Sequence, residues 1–340
     1  MRRLQLPVVR IISAFALLHS ASGEDGVAAF AEHAKSRIEA RFSVEGEAEG
    51  WYFLTQEMRH LSKGAFWEKP WEDVAANATN PVPSIVEFHE MLADRGIRLL
   101  VVPVPAKASV YPEKLSAEFD AEDPVRLKSF LAAIEAQGVE VLDLQDEFLT
   151  LRKEEPDTPW YCQQDAHYSP AAIEHLVDRI MGELELPAGE SDLLQRSDWE
   201  TLSITGDLIA GSEWEGSVPA ESLRLRRVSQ GGQQGVEPDP GSPYLVLGDS
   251  HTLVFHEGET NRMHCRGAGV VDHLSFRVGA PVDLVGIQMG GLFQVRKNLF
   301  YHATETPGYW DNKKAVIWIF TARDFTESTT QPARIPLERN

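Results

Sequence analysis

From Pro83 onward the chain alternates amphipathic helical patterns with short, nearly pure aliphatic runs, and this rhythm restricts the fold more than any other feature. Ser84–Arg95 carries Ile85, Phe88, Met91 and Leu92 on one face and stops at Gly96. Arg98–Val104 then reads as a valine-rich strand without polar alternation, the pattern of a strand buried on both faces. Pro124–Gln137, closed by Gly138, is a second helix, and Val139–Leu144 a second strand. Pro170–Leu184 is a helix opened by proline, which suits the first helical position. Tyr244–Leu247, Val282–Ile287 and Ala315–Phe320 continue the strand set, with a helix over Gln294–Tyr301. Helices between buried strands imply crossovers and a mostly parallel central sheet, an α/β fold.

The flanks follow other rules. Arg2 and Arg3 precede the apolar run Ile11–Leu18, and the small residues Ser20–Gly23 follow before the chain turns acidic. Those features predict an export signal over 1–23 and a periplasmic or secreted protein. Arg10 interrupts the apolar stretch, so an N-terminal anchor or a cytosolic chain stays open. No later run approaches the ~20 apolar residues of a membrane helix, so the body is expected to be soluble. Val27–Arg41 has helical spacing, giving an N-terminal helix within 24–45, and Trp51–Leu54 reads as a short buried strand. One domain is expected over 46–330, with an irregular Gly-, Ser- and Glu-rich insertion at about 187–243 and a tail at 331–340. A net charge of −20 argues against broad electrostatic binding to nucleic acid or anionic lipid. Neutral sugars and small acyl donors stay open.

Two segments carry chemistry. Tyr244-Leu-Val-Leu-Gly-Asp-Ser-His251 sets a serine directly after a buried strand and a glycine-containing turn. Ligands gather beyond the carboxyl ends of such strands, and backbone N–H groups in the turn can hold a developing oxyanion. Read plainly, the same turn is a strand end where Asp249 or Ser250 caps the next helix. Asp165-Ala-His167-Tyr-Ser-Pro170 puts a carboxylate two residues before a histidine, just ahead of a helix. A serine hydroxyl needs a base to become a nucleophile. Imidazole is that base near neutral pH, and a carboxylate on its far nitrogen fixes tautomer and orientation. The plain alternative is a surface loop with Asp165 as a turn residue. His251 is a rival base, but adjacent side chains rarely aim at each other, so His167 is the expected one.

A strand-terminal Gly-Asp-Ser with an Asp-His pair resembles the SGNH-hydrolase superfamily. Because the pair precedes the serine, the order is similar to that of the alginate O-acetyltransferase family of SGNH-like proteins. Trp51-Tyr-Phe-Leu54, the segment 95–107, Tyr111-Pro112 and Thr321-Ala-Arg-Asp-Phe325 also look like that family. Tyr168 stands where tryptophan is common, and His251 where an apolar residue is usual. The resemblance spans 46–180 and 243–328. It implies a flavodoxin-like three-layer α/β/α fold, with Ser250 as nucleophile, His167 as base and then acid, and Asp165 as orienting carboxylate. The oxyanion would be held by the Ser250 N–H, with Gly290, Gly291, Arg296 or Asn298 as helpers. The implied reaction is acetyl transfer to a polysaccharide through an acetyl-serine, without a cofactor, the donor delivered by a membrane-bound acyltransferase. A carbohydrate acetylesterase would use the same triad. A non-catalytic polysaccharide-binding scaffold of an export complex is the third reading.

Trp160 and Tyr168 flank the histidine loop and are candidate stacking faces for sugar, with Trp67, Trp71, Tyr161, Tyr309 and Trp310 behind them. Cys162 and Cys265 are the only cysteines and lie near the two chemical segments; they either pair or remain buried thiols. The remaining histidines lack a ligand spacing such as HExxH, so no metal is expected. Asp272, His273 and His264 gathering around Asp165 and His167 is the one arrangement that would supply a metal site.

Overall fold

The aliphatic runs pair in one sheet in the computed structural model, which describes residues 25–74, 80–328 and 334–339. Its strands are β1 (Arg98–Val104), β2 (Glu140–Val141), β3 (Tyr244–Gly248), β4 (Asp283–Gly286) and β5 (Ala315–Thr321). They lie in the order β4-β3-β5-β1-β2, all parallel. In β1, Leu100 and Val102 enter one core while Leu99 and Val101 enter the other; in β5, Ile317 and Ile319 oppose Val316 and Trp318. Two buried faces are why these runs show no polar alternation.

The helices divide accordingly. Residues of α3 (Pro170–Glu183) and α5 (Val270–Val278) join the first core; those of α1 (Val82–Ala93), α2 (Lys128–Glu135) and α6 (Gly291–Glu305) join the second. A single turn, α4 (Ser250–Leu253), follows β3. The result is the expected three-layer α/β/α fold.

Three local differences have physical causes. The N-terminal helix runs over 25–36, short of Arg41, because Ser43–Glu45 instead pairs antiparallel with Tyr52–Leu54 across the Gly46–Gly50 turn. β2 is only two residues long, since the Asp143 carboxylate takes the Gln145 N–H (3.0 Å) and turns the chain. The stretch 187–243 is ordered into small antiparallel units: Leu194–Arg196, Val228–Gln230 and Gln233–Gln234 form one, Glu200–Ile204 with Glu221–Leu225 the other. The expected export segment, 1–23, lies outside the described residues. Among the described residues no helix is long and apolar enough to cross a membrane.

Candidate active site

The serine turn forms where β3 leaves the sheet. Asp249 anchors it from both sides: Oδ1 accepts the His251 N–H (2.9 Å), capping α4, and Oδ2 accepts the Thr321 N–H at the end of β5 (3.0 Å). Gly248 permits the close approach, since a Cβ there would stand 2.1 Å from the Ile319 carbonyl oxygen. Ser250 is thus the first residue of a helical turn, where backbone N–H groups lack intrahelical partners.

The histidine loop is built on a buried template. Tyr161 and Tyr168 bridge, the Cys162 N–H donates to the His167 carbonyl (3.2 Å), and Ser169 caps α3 by accepting the Ala172 N–H (3.2 Å). Inside the loop sits Lys107, fully buried, its ammonium donating to the carbonyls of Cys162 (3.1 Å), Gln163 (3.1 Å) and Asp165 (2.9 Å). All three donors of the ammonium are used. Glu57, also buried, accepts the Lys107 N–H (3.1 Å) and supplies the opposing charge.

The two segments meet. His167 Nε2 lies 2.8 Å from Ser250 Oγ, and His167 Nδ1 lies 2.5 Å from Asp165 Oδ1. As an ionised carboxylate only accepts, Nδ1 carries the proton in that contact. Asp165 is saturated: Oδ1 also takes the His167 N–H (3.0 Å), and Oδ2 takes the Asp207 N–H (2.9 Å) and His264 Nε2 (2.8 Å). Burial opposes ionisation of Asp165, yet its His167 and His264 contacts hold its carboxyl well below the usual range. Burial likewise opposes charge on His167, but Asp165, Asp207 and Asp249 outweigh it and push the imidazole up to about 9.

The rival base is placed elsewhere. His251 Nδ1 faces Asp249 Oδ1 (3.1 Å), and burial, with Asp249 opposing, lowers the ring to about 4. Its backbone carbonyl accepts the Tyr168 hydroxyl (2.5 Å), so Tyr168 ties the two chemical segments together. That corrects the expectation of a sugar-stacking face: Tyr168 is fully buried, and Trp160 is buried against Phe148, ring centroids 5.8 Å apart. Tyr161, Tyr309 and Trp310 are buried too, and Trp67 and Trp71 pack against the second core. Their apolar area holds the layers together instead.

Ser250 and His167 open into a cleft of about 660 Å³. One wall is Asp207 to Trp214, from the insertion; the rim includes Phe42, Arg262 and Met289, the last 92% exposed. Ser43 Oγ donates to the Leu208 carbonyl (2.7 Å), and Arg41 pairs with Glu213 across the mouth. Trp214 lines this cleft together with Phe42, and no motif pointed to either. The sequence signal for Trp214 is a large ring in a Gly-, Ser- and Glu-rich stretch that also holds Trp199.

The expected oxyanion helpers separate. Gly290 and Gly291 adjoin Gln288 and Met289, which line the cleft. Arg296 and Asn298 do not reach it, because α6 carries them along the far layer. Arg296 lies buried over the Phe88 ring and donates to the Ile335 carbonyl (3.0 Å), while Asn298 accepts from Gln294 (3.2 Å). The cysteines are both free and buried, without a bridge; burial raises both thiols, Cys265 to about 12. Asp272 is engaged with His256 (3.0 Å) and His273 is buried apart, so of the conceivable ligand group only His264 joins Asp165. Asp165, His167 and Asp207 bring donor atoms within 4.8 Å of one another, but both ring nitrogens of His167 are committed, to Asp165 and Ser250.

Comparison with known proteins fits this arrangement. The family described as "SGNH hydrolase-like domain, acetyltransferase AlgX" matches residues 44–231, more than half of the chain, a span that holds Asp165, His167 and Asp207 and ends before Ser250. The probable alginate O-acetylase AlgJ of Pseudomonas aeruginosa is 28% identical over 147 residues, 43% of this chain and 34% of that relative. The match therefore spans about a third of the curated relative. The O-acetyltransferase domain of Pseudomonas putida AlgJ superposes with a TM-score of 0.60 at 18% identity, over 85% of this chain and 95% of that one. Pseudomonas aeruginosa AlgX superposes with a TM-score of 0.56 at 17% identity, over 86% and 67%. At those identities the structural likeness shows the fold, and the sequence match shows the kinship: the chain belongs to the AlgX family of SGNH hydrolase-like domains.

Proposed function

We propose that this protein is an exported, serine-dependent O-acetyltransferase that moves an acetyl group onto a polysaccharide hydroxyl. The observation that carries the proposal is the continuous contact from Asp165 through His167 to Ser250, opening into one cleft. Ser250 Oγ attacks the acyl carbonyl while neutral His167 takes its proton at Nε2. The tetrahedral oxyanion is held by the Ser250 N–H and the backbone of the Gln288–Gly291 loop. His167 returns the proton to the leaving group, which departs and leaves acetyl-serine. An acceptor hydroxyl, deprotonated by the same nitrogen, then attacks the acetyl carbonyl and releases Ser250. Asp165 stays ionised throughout and steadies the imidazolium. In this reading a membrane-bound acyltransferase delivers the donor, and alginate, for which the Pseudomonas aeruginosa relative is named, is one acceptor class to test.

The exposed rim at Met289 lets water as well as sugar reach the acyl-enzyme, which favours acetylesterase activity as the second reading. A chromogenic acetyl ester, with and without oligosaccharide, separates them. Transfer predicts acetylated oligosaccharide and less free acetate as acceptor is added; hydrolysis indifferent to every sugar would replace the transferase reading with the esterase one.

The pH dependence follows from the charged surroundings of His167. Only the neutral ring accepts the serine proton, and neutral ring becomes available as pH rises through its value in the folded protein, about 9. The kcat/KM for a neutral ester should therefore climb through the alkaline range, with its midpoint above the ordinary histidine value. A limb completed below neutrality would contradict this.

A further inference from the structure

Asp207 lies in the insertion, 42 residues from Asp165, and meets the histidine loop through reciprocal bonds. The Asp207 N–H donates to Asp165 Oδ2 (2.9 Å), while Asp207 Oδ1 accepts the Ala166 N–H (2.8 Å). Gly206 makes this contact possible, since a Cβ there would fall 2.1 Å from the Gln164 carbonyl oxygen and 2.6 Å from the Asp165 nitrogen. The other oxygen, Oδ2, lies 3.9 Å from His167 Nδ1 on a side chain 31% exposed, lining the cleft. We propose that Asp207 is a positioning residue, a second carboxylate that clamps the Asp165–His167 loop to the insertion and shares the imidazolium charge with Asp165.

This inference rests on the Ser250–His167 reading and adds to it. The groups facing His167 are Asp165 on its own loop, Asp207 from the insertion, and Asp249, Ser250 and His251 from the β3 turn, with His264 acting through Asp165. Among the carboxylates, Asp165 carries the direct hydrogen bond to the ring and Asp249 anchors the serine turn. Asp207 lines the cleft, so its charge can be removed with its N–H acceptor kept. Burial and the Asp165 charge push Asp207 up to about 6, so it is ionised across the range in which His167 titrates.

The test is Asp207→Asn, which retains an oxygen for the Ala166 N–H and removes the charge. With less negative charge nearby, His167 loses its proton more readily. The alkaline limb of kcat/KM should move to lower pH by about one unit. The His167 ring, followed by NMR in a Ser250→Ala background, should titrate lower by the same amount, a readout independent of turnover. An unmoved ring titration in a folded Asp207→Asn protein would overturn the charge-sharing role. If the Asp207→Asn change destabilises the loop, Asp207→Glu, which keeps the charge, should leave the ring titration closer to that of the parent. Failure of the parent reading looks different: Ser250→Ala would then retain activity whatever Asp207 does.

Discussion

Ser250→Ala should lower acetyl transfer and ester hydrolysis by roughly 10⁴- to 10⁶-fold while leaving the fold intact. The hydroxyl is the group that His167 Nε2 contacts, and the other hydroxyls lining the cleft, Ser43 and Ser212, donate to the Leu208 and Ile209 carbonyls. His251, the rival base, is turned toward Asp249. Loss of the hydroxyl costs the fold little, because the Ser250 side chain makes one hydrogen bond, to His167, at the edge of the cleft. An unchanged melting temperature with vanished turnover is thus the expected pair of results. A folded variant that retains most of its activity would remove the nucleophile from the account. One that retains polysaccharide binding and all biological output would favour the scaffold reading.

The second large effect is expected from Lys107→Met, a residue that touches no reacting atom. Its ammonium donates to three carbonyls on the inside of the histidine loop, and methionine fills much of the same space while donating nothing. Three buried acceptors lose their partner, and buried Glu57 keeps Arg323 at 4.0 Å but loses the second positive charge near it. Each buried acceptor left without its donor costs about 1–3 kcal/mol. A drop of about 5–10 °C in melting temperature is the expected reading for a domain of this size. Activity should fall further than stability alone requires, because the loop that loses its template also aims His167. Far-ultraviolet dichroism, thermal melts and ester turnover on the same preparation separate the two effects. A variant as stable and as active as its parent would mean that the loop holds its shape by the Tyr161–Tyr168 bridge and the Ser169 cap alone.

The sheet was legible because β1, β3 and β5 are buried on both faces, which forces apolar runs without polar alternation. The meeting of Asp165, His167 and Ser250 was legible because each half is local: Asp165 and His167 share one loop, and Ser250 follows directly on a strand. What stayed hidden depends on contacts far apart in the chain. Lys107 reaches the Asp165 carbonyl across 58 residues, and His264 reaches its carboxylate across 99. No spacing rule foretells such meetings. The insertion was opaque for another reason. Glu200–Ile204 and Glu221–Leu225 both alternate, with Leu202 and Ile204 on one strand and Leu223 and Leu225 on the other, but each run is only five residues long and sits in Gly-, Ser- and Glu-rich sequence, too short to stand out. Aromatic residues misled in the opposite sense: Trp160 and Tyr168 flank the right loop, but a large ring next to a site is held in place more readily by packing than by a sugar. Trp214, in the stretch with the least pattern, and Phe42 are the rings that line the cleft.

The most direct test is to mix the protein with an activated acetyl donor, quench within a turnover, and weigh the peptide that contains Ser250. A single acetyl group on that serine, discharged when oligosaccharide is added and never formed in Ser250→Ala, is the predicted outcome. Steady turnover with no acetyl on Ser250 at any time, persisting in Ser250→Ala, would contradict the account at its centre.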